Sequence, residues 1–191
     1  DRLFELSKIS GLLLQDCFGG QSIRIDMMIL HEFKKRNFVM PQRPTKQEIV
    51  EREEKPVKGA VVLEPKKGLH KNVLVLDFQS LYPTIIKNFN IYPDALLLNG
   101  ADKYHESPNG TKFISGEIYE GIFPAIIKNL LATRLDAKKR MTFAISEERR
   151  ILDARQYALK ILANSFYGYY GYPRARLFRE EIANSITAYG R

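Results

Sequence analysis

Apolar residues recur at helical spacing in residues 1–40. Steps of three and four separate them, and the pair Gly19-Gly20 interrupts the pattern, which predicts two helices with a break between them. Residues 41–58 are rich in charge and flanked by proline. This composition indicates either a linker or an exposed short helix.

The second half of the chain is predicted to contain two basic helices. The first begins near Pro124, because proline suits the first turn of a helix. The second begins at Ser146 as N-cap and is expected to end near Tyr167, where Gly168 follows. A short turn between them predicts an antiparallel helical hairpin. A further helix is predicted over residues 179–189.

Between these helical regions the pattern favours strands. Residues 60–63 and 73–76 are apolar runs on either side of a Lys-Lys-Gly turn, and both are predicted to be strands. A β-hairpin is predicted over residues 103–114, because Asn109-Gly110 is a strong two-residue turn signal. The pattern therefore predicts both helices and strands along the chain.

The charge of the chain is unevenly distributed. The 191 residues carry a net charge of +8 with a pI near 9.5, and this size predicts one domain or two small lobes sharing a core. Residues 128–179 hold twelve basic and four acidic side chains, a surplus equal to the net charge of the whole chain. Solvated helix faces with ion pairs would explain such a run, but its arginines and interleaved tyrosines favour a phosphate-rich partner.

Cysteine content and the lengths of the apolar runs argue against several classes of protein. Cys17 is the only cysteine, so no internal disulfide or cysteine-based zinc cluster can form, and a reducing compartment is expected. No apolar run approaches the roughly 18 residues of a membrane span, and no signal peptide opens the chain. These features argue against a secreted scaffold, a membrane protein or a disordered tail.

The run VLVLDFQSLYPTII carries the first candidate site. An apolar strand delivers Asp77 to its end, and a helix is predicted over residues 79–89 with Ser80 as N-cap. A carboxylate there can hold a hard divalent cation, while the free N–H groups around Ser80 and Leu81 can bind phosphate. Tyr82 could wall one side of a bound sugar. The alternative is that Asp77 caps the helix and Tyr82 belongs to the core.

The run RQYALKILANSFYGYYGY carries the second candidate site. Steps of three and four place five polar side chains on one stripe of a helix: Asp153, Gln156, Lys160, Asn164 and Tyr167. A cation, an amide and a phenol suit a triphosphate, a base edge and a stacking surface. A solvated helix face explains the same stripe equally well.

The run LLATRLDAKKRM adds two further cations. Arg134 and Lys138 are four residues apart and share a helix face. If this helix packs antiparallel to the next, both converge with Lys160, and convergent cations repel unless an anion lies between them. An ordinary basic helix is the alternative.

These motifs resemble a known family. DFQSLYPTII and KILANSFYG, with LLATR between them and GYYGYPRARLF after them, are similar in order and spacing to the signature motifs of B-family DNA polymerases, in particular the archaeal replicative enzymes. The resemblance covers essentially the whole chain. It implies an α+β fold: a partial palm domain, with a mixed or antiparallel sheet and helices, into which an antiparallel two-helix fingers hairpin is inserted.

The resemblance also implies a domain division. Residues 1–41 would be a helical segment returning from the preceding exonuclease region, and residues 42–122 the first part of the palm. Residues 123–172 would be the fingers, which close over the nucleotide, and residues 173–191 the second part of the palm.

For the site, the resemblance implies catalytic roles for Asp77 and Lys160. Asp77 would be one of two aspartates that hold the paired Mg²⁺ ions of nucleotidyl transfer. The backbone at Ser80 and Leu81 would touch the triphosphate. Tyr82 would exclude a ribose 2′-OH, so that deoxynucleotides are selected.

The remaining nucleotide-binding roles fall on the helical hairpin. Lys160 and Arg134 would neutralise the phosphates, with Lys138 in support. Asn164 and Tyr167 would line the nascent base pair, Tyr167 toward its minor groove.

Two positions depart from the family pattern. Thr84 replaces the usual serine after the Tyr-Pro pair and keeps the hydroxyl. Val57 stands where archaeal relatives usually carry tyrosine before the pair Gly59-Ala60, in a segment tied to moving the primer between sites. The role of this segment in switching is therefore in question.

The resemblance finally implies partners and limits. The expected partners are primer-template DNA, dNTP, the exonuclease domain, the C-terminal palm and thumb, and a sliding clamp reached through those segments. The expected location is the cytoplasm, at the nucleoid. The second metal aspartate would lie after Arg191, so the chain is expected to be a central fragment without activity of its own. A non-catalytic nucleic-acid-binding module derived from a polymerase is the alternative.

Overall fold

The computed structural model describes residues 1–55, 57–96 and 102–191, so Pro56 of the predicted 41–58 linker lies outside it. Its α-helices are α1 (Arg2–Ser10), α2 (Gln21–Lys35), α3 (Lys46–Glu53), α4 (Leu81–Asn88), α5 (Ile122–Met141), α6 (Ser146–Tyr170) and α7 (Glu180–Gly190). The strands β1 (Tyr104–Glu106) and β2 (Lys112–Ile114) form an antiparallel pair. In these ranges, no helix is both long and apolar enough to cross a membrane.

The N-terminal helices follow the predicted pattern. Gly11 ends α1 in the left-handed conformation, at φ 74°, which glycine adopts without a steric penalty. A short 3₁₀ helix follows, and α2 begins directly after Gly19-Gly20, as predicted. Within the predicted linker, α3 is the exposed short helix, and Thr45 and its partner Glu48 form a capping box at its start.

The helices α5 and α6 pack against each other in antiparallel directions. Ring contacts join Phe123 near the start of α5 to Phe166 near the end of α6. At the far end, a salt bridge of 3.3 Å joins Arg140 to Glu148. The turn between the helices is short, so the predicted helical hairpin is present.

The boundaries of α6 correct two predictions. Ile145 is the N-cap, whereas Ser146 is the first helical residue at φ 49° and makes no capping bond, so the predicted N-cap was wrong by one residue. Gly168 does not end the helix, which runs on to Tyr170. The side chains of Tyr169 and Tyr170 are buried in the core, and their burial outweighs the cost of about 1 kcal/mol for glycine inside a helix.

The hydrophobic core lies where α5, α6, α2, α4 and α7 meet. Phe123 is fully buried at its centre, with its ring 4.5 Å from that of Tyr170 and 5.3 Å from that of Tyr92. The hydroxyl of Tyr170 donates to the carbonyl of Ile91 at 3.2 Å, so its one polar atom is satisfied. This core holds the start of α5 and the end of α6 in a fixed relation.

The β-structure is smaller than the sequence predicts. The hairpin at residues 103–114 is present, with β1 and β2 in antiparallel register. Residues 60–63 and 73–76 are not strands but exposed segments without regular secondary structure, so both predictions were wrong for this structure. A strand that is apolar on both faces needs neighbours to cover those faces and pair its backbone, and the residues described here place none beside these runs.

Candidate functional site

A cleft of about 690 Å³ opens where the start of α4 faces α5 and α6. It brings together most of the predicted site residues, with Gln79 and two neighbours that were not singled out. Its lining consists of Asp77, Phe78, Gln79, Ser80, Leu81, Tyr82, Pro83, Arg134, Lys138, Lys160 and Asn164. Three separate stretches of sequence therefore converge on one space.

The turn into α4 shapes one wall of the cleft. Ser80 precedes the helix in the left-handed conformation, at φ 52°, and its side chain makes no capping bond. The first-turn N–H groups of Leu81 and Tyr82 have no intrahelical acceptor, as at any helix start. The hydroxyl of Thr84 donates to the carbonyl of Gln79 at 3.2 Å, so the departure from serine keeps a hydroxyl that holds this turn.

Arg134 connects the three helices around the cleft. Its guanidinium donates to Ser80 Oγ at the start of α4 and to Gln156 Oε1 on α6, both at 3.5 Å. Gln156 in turn donates through Nε2 to Asp153 Oδ1 at 3.0 Å. Asp153 and Gln156 thus belong to the predicted polar stripe of α6, but they support Arg134 rather than line the cleft.

The described lining of the cleft carries three cations and one carboxylate. Arg134, Lys138 and Lys160 all line it, which confirms the predicted convergence of three cations. Neither Lys138 nor Lys160 forms a salt bridge within the part of the chain that the structure describes. Unpaired cations that share one space favour a polyvalent anion between them.

An aromatic pair lies beside the cleft: Tyr82 lines it, whereas Tyr167 contacts Tyr82 and is not among the lining residues. The rings of Tyr82 and Tyr167 lie 4.4 Å apart and are tilted by 36°. Burial raises the pKa of the Tyr167 phenol, and the neighbouring Tyr82 raises it further, so Tyr167 is a neutral hydrogen-bond donor at physiological pH. A Cβ at Gly190 would lie 3.1 Å from the Tyr82 ring, which shows how closely α7 supports that ring.

The cleft offers little to a resident metal ion. Among the described residues that line the cleft, Asp77 is the one acidic side chain. Across residues 1–55, 57–96 and 102–191, no three His, Cys, Asp or Glu side chains come together as a metal site. One exposed carboxylate suits a Mg²⁺ ion that keeps water and substrate phosphates as its other ligands, and does not suit an ion held by protein alone.

The segment that contains Val57 docks on α7. The backbone N–H of Lys58 donates to Asn184 Oδ1 at 2.7 Å, and Thr187 Oγ1 donates to the carbonyl of Lys58 at 2.9 Å. Val57 itself is half-buried against the core. The part of this segment nearest the core is thus held in place, although residues 60–63 beyond it are exposed.

Sequence reasoning missed Gln79 and the hydroxyl of Ser80. Gln79 lines the cleft and holds Thr84 through its backbone carbonyl, and no pattern in the sequence singled it out. Ser80 is the N-cap residue of α4, as predicted, but its hydroxyl makes no capping bond and instead accepts from Arg134. A serine that precedes a helix can use its hydroxyl in either way, and only the position of α5 decides.

Comparison with known proteins gives the same family along nearly the whole chain. The model of DNA polymerase family B matches residues 13–191. A DNA polymerase of Thermococcus gorgonarius is 40% identical over 190 residues, which is 98% of this chain and 24% of the relative. A DNA polymerase 1 of Pyrococcus abyssi is 40% identical over 169 residues, 87% of this chain and 22% of the relative.

A solved structure extends the likeness to three dimensions. The family B DNA polymerase from the hyperthermophilic archaeon Pyrobaculum calidifontis superposes with a TM-score of 0.80 at 36% identity, over 98% of this chain and 25% of that one. The chain spans about a quarter of the length of the relatives it matches. With the family model covering residues 13–191, the chain belongs to DNA polymerase family B.

Proposed function

We propose that this chain carries the incoming-nucleotide site of a template-directed DNA polymerase. The observation that carries the proposal is the single cleft that gathers Asp77, the start of α4 and three cations from α5 and α6. The proposed reaction is transfer of a dNTP to a primer 3′ end, with primer-template DNA and the remaining polymerase segments as partners. Residues 123–172 would be the fingers, with palm segments on either side.

The cations supply the binding energy for the triphosphate. Arg134 and Lys160 approach the cleft from α5 and α6, and Lys138 lies one helical turn beyond Arg134. Charge-assisted hydrogen bonds to phosphate are about twice as strong as neutral ones, and a half-enclosed cleft screens them less than open water. The N–H groups of Leu81 and Tyr82 add donors without adding charge.

The sugar and base would meet the aromatic end of the cleft. Tyr82 presents a ring whose position is fixed by Tyr167 on one side and by the close approach of Gly190 on another. A ring that cannot move aside excludes a 2′-hydroxyl by sterics alone. Asn164, which lines the cleft, can hydrogen-bond to a base edge.

Asp77 would hold the divalent ion that accompanies the triphosphate. Mg²⁺ commonly binds to one or two carboxylates together with substrate phosphates, and such an ion stabilises the charge that develops on phosphate oxygens. A second carboxylate is needed for a two-metal site. Since Asp77 is the one acid that lines the cleft, we propose that the 191-residue chain alone binds nucleotide without catalysing transfer.

Calorimetric titration of the chain with dATP and Mg²⁺ tests the binding site. Lys160→Ala is expected to weaken binding by about five- to tenfold, because it removes one charge-assisted phosphate contact. Lys139→Ala is the matched control, since Lys139 is an exposed lysine of the same helical hairpin outside the cleft. Equal effects of the two substitutions would refute the assignment of the site.

Primer extension with Mg²⁺ and dNTPs tests the proposal about catalysis. Neither the chain nor its Asp77→Ala variant is expected to extend a primer. Extension by the chain with its natural Asp77 would mean that another carboxylate completes the metal site. A non-catalytic nucleic-acid-binding module would be favoured instead if the chain does not bind dNTP but binds DNA in a salt-dependent way. That DNA binding would be independent of metal and unchanged by Asp77→Ala.

A further inference from the structure

A second cleft of about 590 Å³ lies between α4 and α5, directly beside the first. The two clefts share Gln79, Ser80, Arg134 and Lys138, so these side chains form a common wall. The second cleft extends from that wall along α5 toward its start, as far as Lys128.

The described lining of the second cleft includes four cations and no carboxylate. Lys87 of α4 and Lys128 of α5 add two positive charges to the shared Arg134 and Lys138. Lys128 pairs with Glu120 at 3.0 Å, but both side chains are largely exposed, and such a pair exchanges readily for another anion. Lys87 is half-buried and forms no salt bridge among the residues with described positions.

The remaining lining restricts the ligand to a small anion. Leu131, Ala132 and Leu135 form an apolar strip along α5, and Thr84 adds one hydroxyl. None of the described residues that line this cleft is aromatic, so they offer no surface for stacking a base. Four cations without an aromatic side chain beside them suit a polyvalent phosphate rather than a nucleoside.

We propose that the second cleft binds inorganic pyrophosphate and is the route by which this product leaves the nucleotide cleft. The inference rests on the proposed function, since nucleotidyl transfer forms a bond from the primer 3′ oxygen to the α-phosphorus and breaks the bond to pyrophosphate. The leaving pyrophosphate keeps the bonding electrons, and the 3′-hydroxyl proton passes to solvent.

The common wall explains the direction of release. Arg134 and Lys138 would contact the distal phosphates of the bound nucleotide from one side and face Lys87 and Lys128 on the other. A product anion can therefore move from one set of cations to the next without losing all of its ionic contacts at once. Lys87 and Lys128 thus act after bond cleavage and do not take part in it.

The experiment is a ¹H–¹⁵N NMR titration of the 191-residue chain with Mg²⁺ and inorganic pyrophosphate. The amides of α4 and of the first half of α5 are expected to shift. The double variant Lys87→Ala/Lys128→Ala is expected to weaken pyrophosphate binding by about tenfold, since each exposed ionic contact contributes up to about a fivefold change in affinity. Lys66→Ala/Lys67→Ala removes the same charge from exposed residues outside both clefts and is the control.

A parallel titration with dATP separates this inference from the proposed function. If dATP binding depends on Lys160 while pyrophosphate binding is unaffected by Lys87→Ala/Lys128→Ala, the release route is refuted and the nucleotide site stands. If dATP does not bind at all, the proposed function fails first. Equal weakening of pyrophosphate binding in the Lys66→Ala/Lys67→Ala control would also overturn the inference, because it would reduce the effect to net charge.

Discussion

Phe123→Ala is expected to be strongly destabilising, because this ring joins both helices of the hairpin to the rest of the core. Phe123 is fully buried, and its ring centroid lies 4.8 Å from that of Phe166, 4.5 Å from that of Tyr170 and 5.3 Å from that of Tyr92. Truncation removes the apolar burial of the ring and these aromatic contacts, and it leaves a cavity among rigid neighbours. Such changes cost about 3–5 kcal/mol.

A loss of this size is a large part of the free energy of unfolding of the whole domain. Domains are stable by roughly 5–15 kcal/mol, so the variant should unfold at a much lower urea concentration, with an unchanged dependence on urea. Urea unfolding followed by circular dichroism at the helical minimum measures the difference. Because Phe123 positions the start of α5 against α6, the cleft should lose affinity for dATP before the chain has unfolded globally.

Phe143→Ala is the matched control. Phe143 lies in the turn between α5 and α6 and is 90% exposed, so its truncation is expected to change the free energy of unfolding by less than about 0.5 kcal/mol. A loss below about 1.5 kcal/mol for Phe123→Ala would refute the reasoning, since it would mean that the neighbouring rings collapse into the cavity or that the hairpin is held elsewhere.

Three further predictions follow from the same structure. Burial raises the pKa of Tyr170, so the folded state holds this proton longer than the unfolded chain does. The free energy of unfolding should therefore fall as the pH rises above about 10, by up to about 1.4 kcal/mol per pH unit for each such tyrosine. Urea unfolding between about pH 8 and pH 11 measures this, and a free energy of unfolding that does not change with pH would contradict it. Arg155→Ala leaves the buried carboxylate of Glu5 without its 2.8 Å partner, so urea unfolding should show a free energy of unfolding lower by about 1–3 kcal/mol. Adding Glu5→Gln to this variant should recover part of the loss. Gly168→Ala should raise the free energy of unfolding by up to about 1 kcal/mol, and with it the melting temperature, because Gly168 lies inside α6 and nothing stands within 4 Å of an added Cβ. A lower melting temperature would count against the position of Gly168 in the helix.

Local patterns were sufficient to predict the helices and the hairpin. The periodicity around Gly19-Gly20, the proline near the start of α5 and the turn at Asn109-Gly110 are local signals, and each element lies where they indicate. Gly168 shows the limit of such signals. Its propensity to end a helix is small beside the burial of Tyr169 and Tyr170, which depends on residues far away in the sequence.

The strand predictions for residues 60–63 and 73–76 were wrong for a related reason. Their composition favours strands, but a strand exists only when another segment pairs with its backbone and covers its faces. In the residues described, these runs are exposed instead: Val62 is 90% exposed and Leu76 is 84% exposed. Pairing partners cannot be read from the strand itself.

Most residues that line the first cleft could be predicted from the sequence, but their contacts could not. The i, i+4 pair of Arg134 and Lys138 predicted a shared face, and the hairpin predicted that Lys160 would meet them. The bond from Arg134 to Ser80 joins residues 54 positions apart, and it depends on where α4 packs against α5. The second cleft with Lys87 arises from the same packing and has no signature in the sequence.

Photo-crosslinking with an azido-dATP analogue, followed by peptide mapping, tests the central claim most directly, because it locates the bound nucleotide without relying on a substitution. The account predicts that label falls on the peptides containing Tyr82 and Asn164, that unlabelled dATP prevents it, and that Lys160→Ala reduces it. Label of similar yield on peptides remote from the cleft, such as those of α2 or α3, would contradict the assignment of this cleft as the nucleotide site.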